Sequence, residues 1–432
     1  MHREKYFIFN LISTFAKRLK MNVVKYLLVF CAVSFSIGLS AQNFSALDSI
    51  INLQINKHNT PGAVGLVIKE GKVLYDKAFG YANLESKTPM STQSIFRIAS
   101  QTKAVVSVAF LQLVQKGAVG LDDPIEKYFP AFSSQKVISA KGDSFQLVDR
   151  VRSVTIRDLL THQSGISSGD EYPKYAYLYK KYNLDKPLNG SYATLAEEVA
   201  QIAQMPLMHQ PGERFSYGLS TNVIGALIEK ISGLRLDQYL LKNIFEPLGM
   251  KDTYFYLPKN KKDRLVKLYA KNTDTSLALV PPALFNADYP LQKNSTYFSA
   301  IGGLVSTTHD YAKFLSCLLD GGELSNGSQL LSKSMIDSLT TNQLGAKTFI
   351  FGGFPSLNTF GLGVGLTSAK GQVVNNASEG SYFWGGAFNT AYMVDPKRKL
   401  ITLFYFQRTP FALSSVLSSL EKATIKIIDQ SK

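Results

Sequence analysis

Ser100-Gln101-Thr102-Lys103 has the residue types and the spacing for covalent chemistry. It stands where an apolar run begins: Ile95 to Ala99 leads in, and Ala104 to Leu111 follows with no glycine or proline before Gly117. The run predicts a helix over Ser100–Gln115, with Ser100 and Lys103 on one face. A serine hydroxyl is a poor nucleophile until a base takes its proton. A lysine amine in a dry pocket has a lowered pKa and can be that base. A helix start also supplies unpaired N–H groups and partial positive charge where an oxyanion would form.

An isolated S-x-x-K is most often a capping serine and a solvated lysine, so its meaning depends on what accompanies it. Pro211-Gly212-Glu213-Arg214-Phe215-Ser216-Tyr217 turns the chain ahead of a helix predicted over Thr221–Ser232. A tyrosine near a cationic lysine has a lowered pKa and can shuttle protons; the alternative is a core tyrosine with a backbone partner. Phe383-Trp384-Gly385-Gly386-Ala387-Phe388-Asn389-Thr390 falls on a predicted strand. Adjacent glycines weaken a strand unless something must approach its backbone closely. A substrate carbonyl receiving the Ala387 N–H would be such a reason, and a β-bulge with the only tryptophan in the core is the alternative.

Competing chemistry fails on context. Gly165-Ile166-Ser167-Ser168-Gly169 fits G-x-S-x-G, but that elbow needs a buried strand before it and a helix after it. Here helical, charged Thr155–Leu160 precedes it and Asp170-Glu171-Tyr172-Pro173 follows. The five histidines, His2, His58, His162, His209 and His309, show no metal-ligand spacing, so neither a metal nor an organic cofactor is expected.

These residues must be positioned by elements spread along the chain. A β-hairpin is expected over Ala63–Glu70 and Val73–Phe79. From Ser100 to about Ala300 the pattern is mainly helical, with helices at Thr155–Leu160, Leu195–Gln204, Thr221–Ser232 and Leu236–Ile244. A helix near Thr308–Leu319 follows, then strands at Gly361–Leu366, Gly385–Val394 and Leu400–Gln407, and an amphipathic helix over Leu413–Asp429. Strands at both ends and helices between them predict an α/β (α+β) fold: one sheet from distant segments with a helical insertion over about 100–300.

The composition is that of a globular protein with a large core, 45% hydrophobic and 18% charged over 432 residues. Residues 1–41 read as an export signal: Lys25 after Met21, an apolar run Tyr26–Leu39 too short to favour a bilayer span, and Ser40-Ala41 before Gln42. Residues 42–432 then form the functional domain, in a bacterial periplasm or cell envelope. Cleavage there removes Cys31 and leaves Cys317 alone, so no intrachain disulfide is expected. The formal net charge of +15 is densest around Lys251–Lys271. No aromatic-interleaved nucleic-acid motif accompanies it, so it reads as a solvated face compatible with peripheral association with an anionic envelope.

Taken together and in this order, the three elements resemble those of the serine β-lactamase and penicillin-binding-protein superfamily, nearest to class C-like hydrolases and their esterase relatives. Pro61-Gly62-Ala63, Gly80-Tyr81-Ala82-Asn83, Phe96–Lys103, Leu159–Gly165 and Gly302–Thr307 extend the likeness over nearly all of the chain after residue 41. The resemblance implies a β-lactamase/transpeptidase-like fold, an antiparallel sheet flanked by helices beside a mainly helical domain. It implies Ser100 as the acylated nucleophile, Lys103 and Tyr217 as the proton-transfer pair, and the Ser100 and Ala387 N–H groups as the oxyanion hole. Leu219, Trp384, Gly385 and Gly386 would face the substrate. Two departures matter: Leu219 stands where the β-lactamase pattern has Asn, and Trp384-Gly385-Gly386 stands for Lys-Thr-Gly. Losing that amide and that lysine favours a less polar acyl substrate. The expectation is therefore an exported serine hydrolase acting on a small-molecule ester, amide or peptide, foremost a carboxylesterase. A β-lactamase or D,D-peptidase, and a non-catalytic penicillin-sensor-like binding protein, are the alternatives.

Overall fold

The computed structural model describes residues 43–430 apart from 142–143, 170, 186–191, 274–275, 282–288, 293–294 and 352–353. The expected leader, with Cys31, lies outside the described residues. Residues 44–430 form one unit. It begins with α1 (Ser45–Asn56) and the hairpin of β1 (Gly62–Lys69) and β2 (Lys72–Asn83). Glu70 and Gly71 both take positive φ, +52° and +73°, which matches the twist of a two-residue hairpin. With β3 (Thr88–Pro89), β4 (Thr359–Phe360), β5 (Gly365–Leu366), β6 (Tyr382–Gly386), β7 (Thr390–Asp395) and β8 (Leu400–Tyr405), they make an eight-stranded sheet. Its order is β4-β5-β6-β7-β8-β1-β2-β3, and every pairing is antiparallel.

Both sheet faces are covered. On β8, Leu400 and Phe404 join Leu47 and Ile51 of α1 and Leu417, Leu420 and Ile425 of a C-terminal helix, Ser414–Gln430. Ile401, Leu403 and Tyr405 point the other way, into the main core. This period-two alternation fixes the strand register, since a slip of one residue would exchange the faces.

The main core is built around α2 (Thr102–Gln115), buried at every position from Thr102 to Leu113. A helix buried on every side belongs at the centre of a large domain. Around it lie α3 (Leu195–Gln204), α4 (Ser220–Ser232) and α5 (Thr308–Leu319). Thr194 and Thr307 cap α3 and α5 by accepting the Glu197 and Asp310 N–H groups, and Gly233 ends α4 at φ +72°.

Two expectations are corrected. The single strand over Gly385–Val394 is a hairpin, β6 and β7 joined by a turn over Ala387–Asn389, so Ala387 sits in the turn. The stretch between Ser100 and Ala300 is interrupted by the hairpins Val137–Lys141/Ser144–Val148 and Tyr269–Lys271/Leu277–Leu279. Their strands, three to five residues long, are too short to carry much of the alternation that marks a longer one.

Candidate active site

Ser100 lies in a single 3₁₀ turn, Ala99–Gln101, that feeds directly into α2. Ala99 has φ +45°, a left-handed conformation that is costly for a residue with a Cβ. The surroundings impose it. The Ile98 N–H donates to the Leu304 carbonyl at 3.1 Å, and the Leu304 N–H donates to Thr102 Oγ1 at 3.1 Å. Buried Gln101 accepts the Tyr311 hydroxyl on its carbonyl and the Tyr405 hydroxyl on Oε1, both at 2.8 Å. The turn is thus tied to α5, to β8 and to the Gly302–Thr307 segment. Ser100 is left half-buried at the start of the helix.

Lys103, one turn on, is 2% exposed. Its Nζ is 3.2 Å from Ser100 Oγ and donates to the Ile301 carbonyl at 2.7 Å. Burial alone pulls its pKa down to about 7. The ammonium is expensive in a dry site with no paired carboxylate, so much of the lysine is a neutral amine near neutral pH.

Tyr217 lies in the loop before α4, and the Lys103 nitrogen is 4.6 Å from its ring centroid. The ring is partly open while the hydroxyl is fully buried. Here the expectation is corrected: burial pushes the phenol up to about 12, outweighing the lowering influence of Ser100 and Trp384. The hydroxyl is close enough to both to feel them, but it forms no aligned hydrogen bond. Tyr217 is therefore a proton holder, and Lys103 is the group whose pKa falls. The backbone of Tyr217 is fixed by Ser167, whose Oγ donates to its carbonyl at 3.0 Å. Ser167 is buried in this structural role, which removes the G-x-S-x-G reading.

The third element closes the site from the sheet. Strand β6 packs against the Ala99–Gln101 turn. A Cβ on Gly386 would lie 2.4 Å from the Ile98 carbonyl and from Thr390 Oγ1, so only glycine lets the strand come this close. A Cβ on Gly385 would meet only the Thr390 carbonyl, at 3.2 Å, which leaves that backbone comparatively open. Ala387 follows, exposed in the turn.

Trp384, 6% exposed, belongs to an aromatic wall beside Tyr217. Its ring centroid is 5.6 Å from Tyr217, 5.5 Å from Phe351 and 5.2 Å from Phe360. His162, at φ +54°, is 4.8 Å from Tyr217 with Nδ1 unpartnered, and burial together with Lys103 keeps its imidazole neutral. Phe351 touches both Tyr217 and Trp384 yet is 42% exposed. Leu219 departs from expectation. It is 1% exposed and packs beside Ile166, Ser167, Tyr179 and Met205, so it offers no open surface to a substrate.

The structure thus brings Ser100, Lys103, Tyr217, Trp384, Gly385 and Gly386 together and places Leu219 in the packed interior. Sequence reasoning missed the Ile301 carbonyl, Phe351 and Phe360. A backbone acceptor leaves no mark in side-chain identity, and the two phenylalanines look like ordinary core residues. No group of His, Cys, Asp and Glu suited to a metal occurs among the described residues.

Residues 42–417 match the protein family described as Beta-lactamase. Monacolin J acid methylbutanoyltransferase of Aspergillus terreus is 27% identical over 385 residues, 84% of this chain and 91% of its own. Esterase EstB of Burkholderia gladioli is 30% identical over 219 residues, 50% of this chain and 53% of its own. The solved structure of EstCE1, described as a hydrolase with promiscuous acyltransferase activity, shares the fold with a TM-score of 0.74 at 23% identity, covering 87% of this chain and 97% of its own.

Proposed function

The chain belongs to the Beta-lactamase family, and on that premise we propose that it is a carboxylesterase working through an acyl-enzyme on Ser100. The observation that carries this reading is Lys103: buried, without a carboxylate partner, drawn down to about 7 and 3.2 Å from Ser100 Oγ. As Oγ attacks the ester carbonyl, the neutral amine takes its proton. The Ser100 and Ala387 N–H groups hold the developing oxyanion. Tyr217, still protonated, gives its proton to the leaving alkoxide and recovers one from Lys103. Water then attacks the acyl carbonyl, and the same groups return Ser100 to its resting state.

Preference for an ester over a β-lactam is supported by Trp384, an aromatic side chain beside Tyr217 where the β-lactamase pattern places a lysine. The aromatic wall with exposed Phe351 favours a second reading, in which an apolar alcohol replaces water as acyl acceptor. Transferase and promiscuous hydrolase relatives support it. We also propose export through residues 1–41, tested by sequencing the N-terminus of the mature protein, and peripheral contact of the basic 251–271 face with an anionic envelope.

The test is a substrate panel of p-nitrophenyl butyrate, nitrocefin and a D-Ala-D-Ala peptide. Ester turnover should exceed the other two. Efficient nitrocefin turnover with no ester turnover would restore the β-lactamase reading, and a product burst without turnover would indicate a sensor. Ser100→Ala should abolish fluorophosphonate labelling.

A further inference from the structure

The residue whose carbonyl accepts from Lys103 is itself tied to a buried acid. Lys103 Nζ donates to the Ile301 carbonyl at 2.7 Å, and the N–H of the same residue donates to Asn222 Oδ1 at 3.0 Å. Asn222 Nδ2 donates to Glu198 Oε2 at 2.8 Å, and the Tyr297 hydroxyl donates to that oxygen at 2.7 Å. Glu198 comes from α3, Asn222 from α4 and Lys103 from α2. Ile301 is thus held through two adjacent peptide groups, its carbonyl by the base and its N–H by the Glu198–Asn222 pair.

An acid is an expensive choice for this place, because a buried carboxylate without a cation is penalised heavily. No cation contributes to its surroundings; two hydrogen-bond donors do. The titratable groups that face it are Tyr297 and Tyr192, and both are pushed upward and stay protonated near neutral pH. A glutamine could accept the same two bonds with no charge to bury. What a carboxylate adds is a charge-assisted acceptor, roughly twice as strong as a neutral one.

We propose that Glu198 is a positioning residue whose ionised form, through Asn222 and the Ile301 backbone, holds Lys103 in line with Ser100. Protonation weakens the acceptor and loosens that alignment. The proposal rests on the reading of Lys103 as the base. Burial pushes Glu198 up to about 7, so its proton and that of Lys103 leave over the same interval. Acylation then requires both protons to be lost, and the acid limb of its pH profile carries a slope of two.

The test is the rate of fluorophosphonate labelling between pH 5 and 9, each variant normalised to its own plateau, with thermal melts alongside. With both groups at about 7, the wild type at pH 6 should label at about one-hundredth of plateau, and Glu198→Gln, with one ionisation left, at about one-tenth. Tyr297→Phe removes a donor to the carboxylate, raises its pKa and should move the steep limb to higher pH; it serves also if Glu198→Gln does not fold. A slope of two retained in Glu198→Gln, or a slope of one in the wild type, would overturn the proposal. So would an unmoved limb in Tyr297→Phe, or a lowered melting temperature with an unchanged slope. Labelling that survives in Ser100→Ala would instead sink the underlying reading of the nucleophile.

Discussion

Replacing Lys103 with methionine should stabilise the protein while abolishing its chemistry. Methionine keeps the unbranched shape and loses the amine. An unfolded chain binds a proton at Lys103 with the ordinary pKa of 10.5, whereas the folded site binds it at about 7. A difference of this size is about 5 kcal/mol at pH well below 7, at 1.36 kcal/mol per unit, and slightly less at pH 7. Methionine removes that penalty but leaves the Ile301 carbonyl without its donor, which costs about 1–3 kcal/mol. The net gain at pH 7 is therefore about 1–3 kcal/mol. Between pH 7 and 9 the unfolded state holds a proton at Lys103 that the folded state has released, which raises wild-type stability by about 2 kcal/mol, less a few tenths each that Glu198 and Glu421, raised to about 7, take back as they ionise. The window ends near 9, because burial raises the Cys317 thiol to about 11 and its linkage runs the other way. Urea unfolding of both proteins at pH 7, 8 and 9 measures this directly. Wild-type stability that is flat or falls over the window, or a methionine variant less stable than wild type at pH 7, would refute the account of a desolvated amine.

Tyr217→Phe should slow acylation by roughly 10²–10⁴-fold. Adding Lys103→Ala should cost less than the product of the two single losses, because the groups act as one unit; pre-steady-state burst rates of the four proteins close that cycle. Gly386→Ala puts a methyl group 2.4 Å from the Ile98 carbonyl and should lower both the melting temperature and the labelling rate, whereas Gly385→Ala should affect stability less.

The parts legible in the sequence were those with a local signature. The hairpin over 63–79 and the S-x-x-K turn announce themselves within a few residues. Trp384-Gly385-Gly386 was readable as a strand that something must approach, although what approaches is the Ile98 carbonyl. The turn over Ala387–Asn389 escaped because Phe388 and Thr390 continue the apolar pattern through it. Lys103 was legible as a base only if buried, and burial comes from segments far away in the chain. The direction of the Tyr217 shift was misjudged for a related reason. A cationic lysine would lower a phenol's pKa, but the same burial discharges the lysine and raises the tyrosine. Glu198 looked like one more charge on an amphipathic helix, since its partners Asn222 and Tyr297 are 24 and 99 positions away.

Strand β1 borders β2, its neighbour in the chain, and β8, at its far end. Val64 waits for Tyr405 and Lys69 for Leu400. During biosynthesis the early hairpin is therefore made with one edge bare, and no nascent chain that stops short of Leu400 can cover it. The Tyr405 hydroxyl that holds Gln101 beside Ser100 arrives with that strand. Gln101 is translated 304 positions before this anchor, so a growing chain carries the Ala99–Gln101 turn in an unfinished setting. The same order of events leaves a pairing edge open to other chains until Leu400 is made, a period in which holdase chaperones would find a clear target.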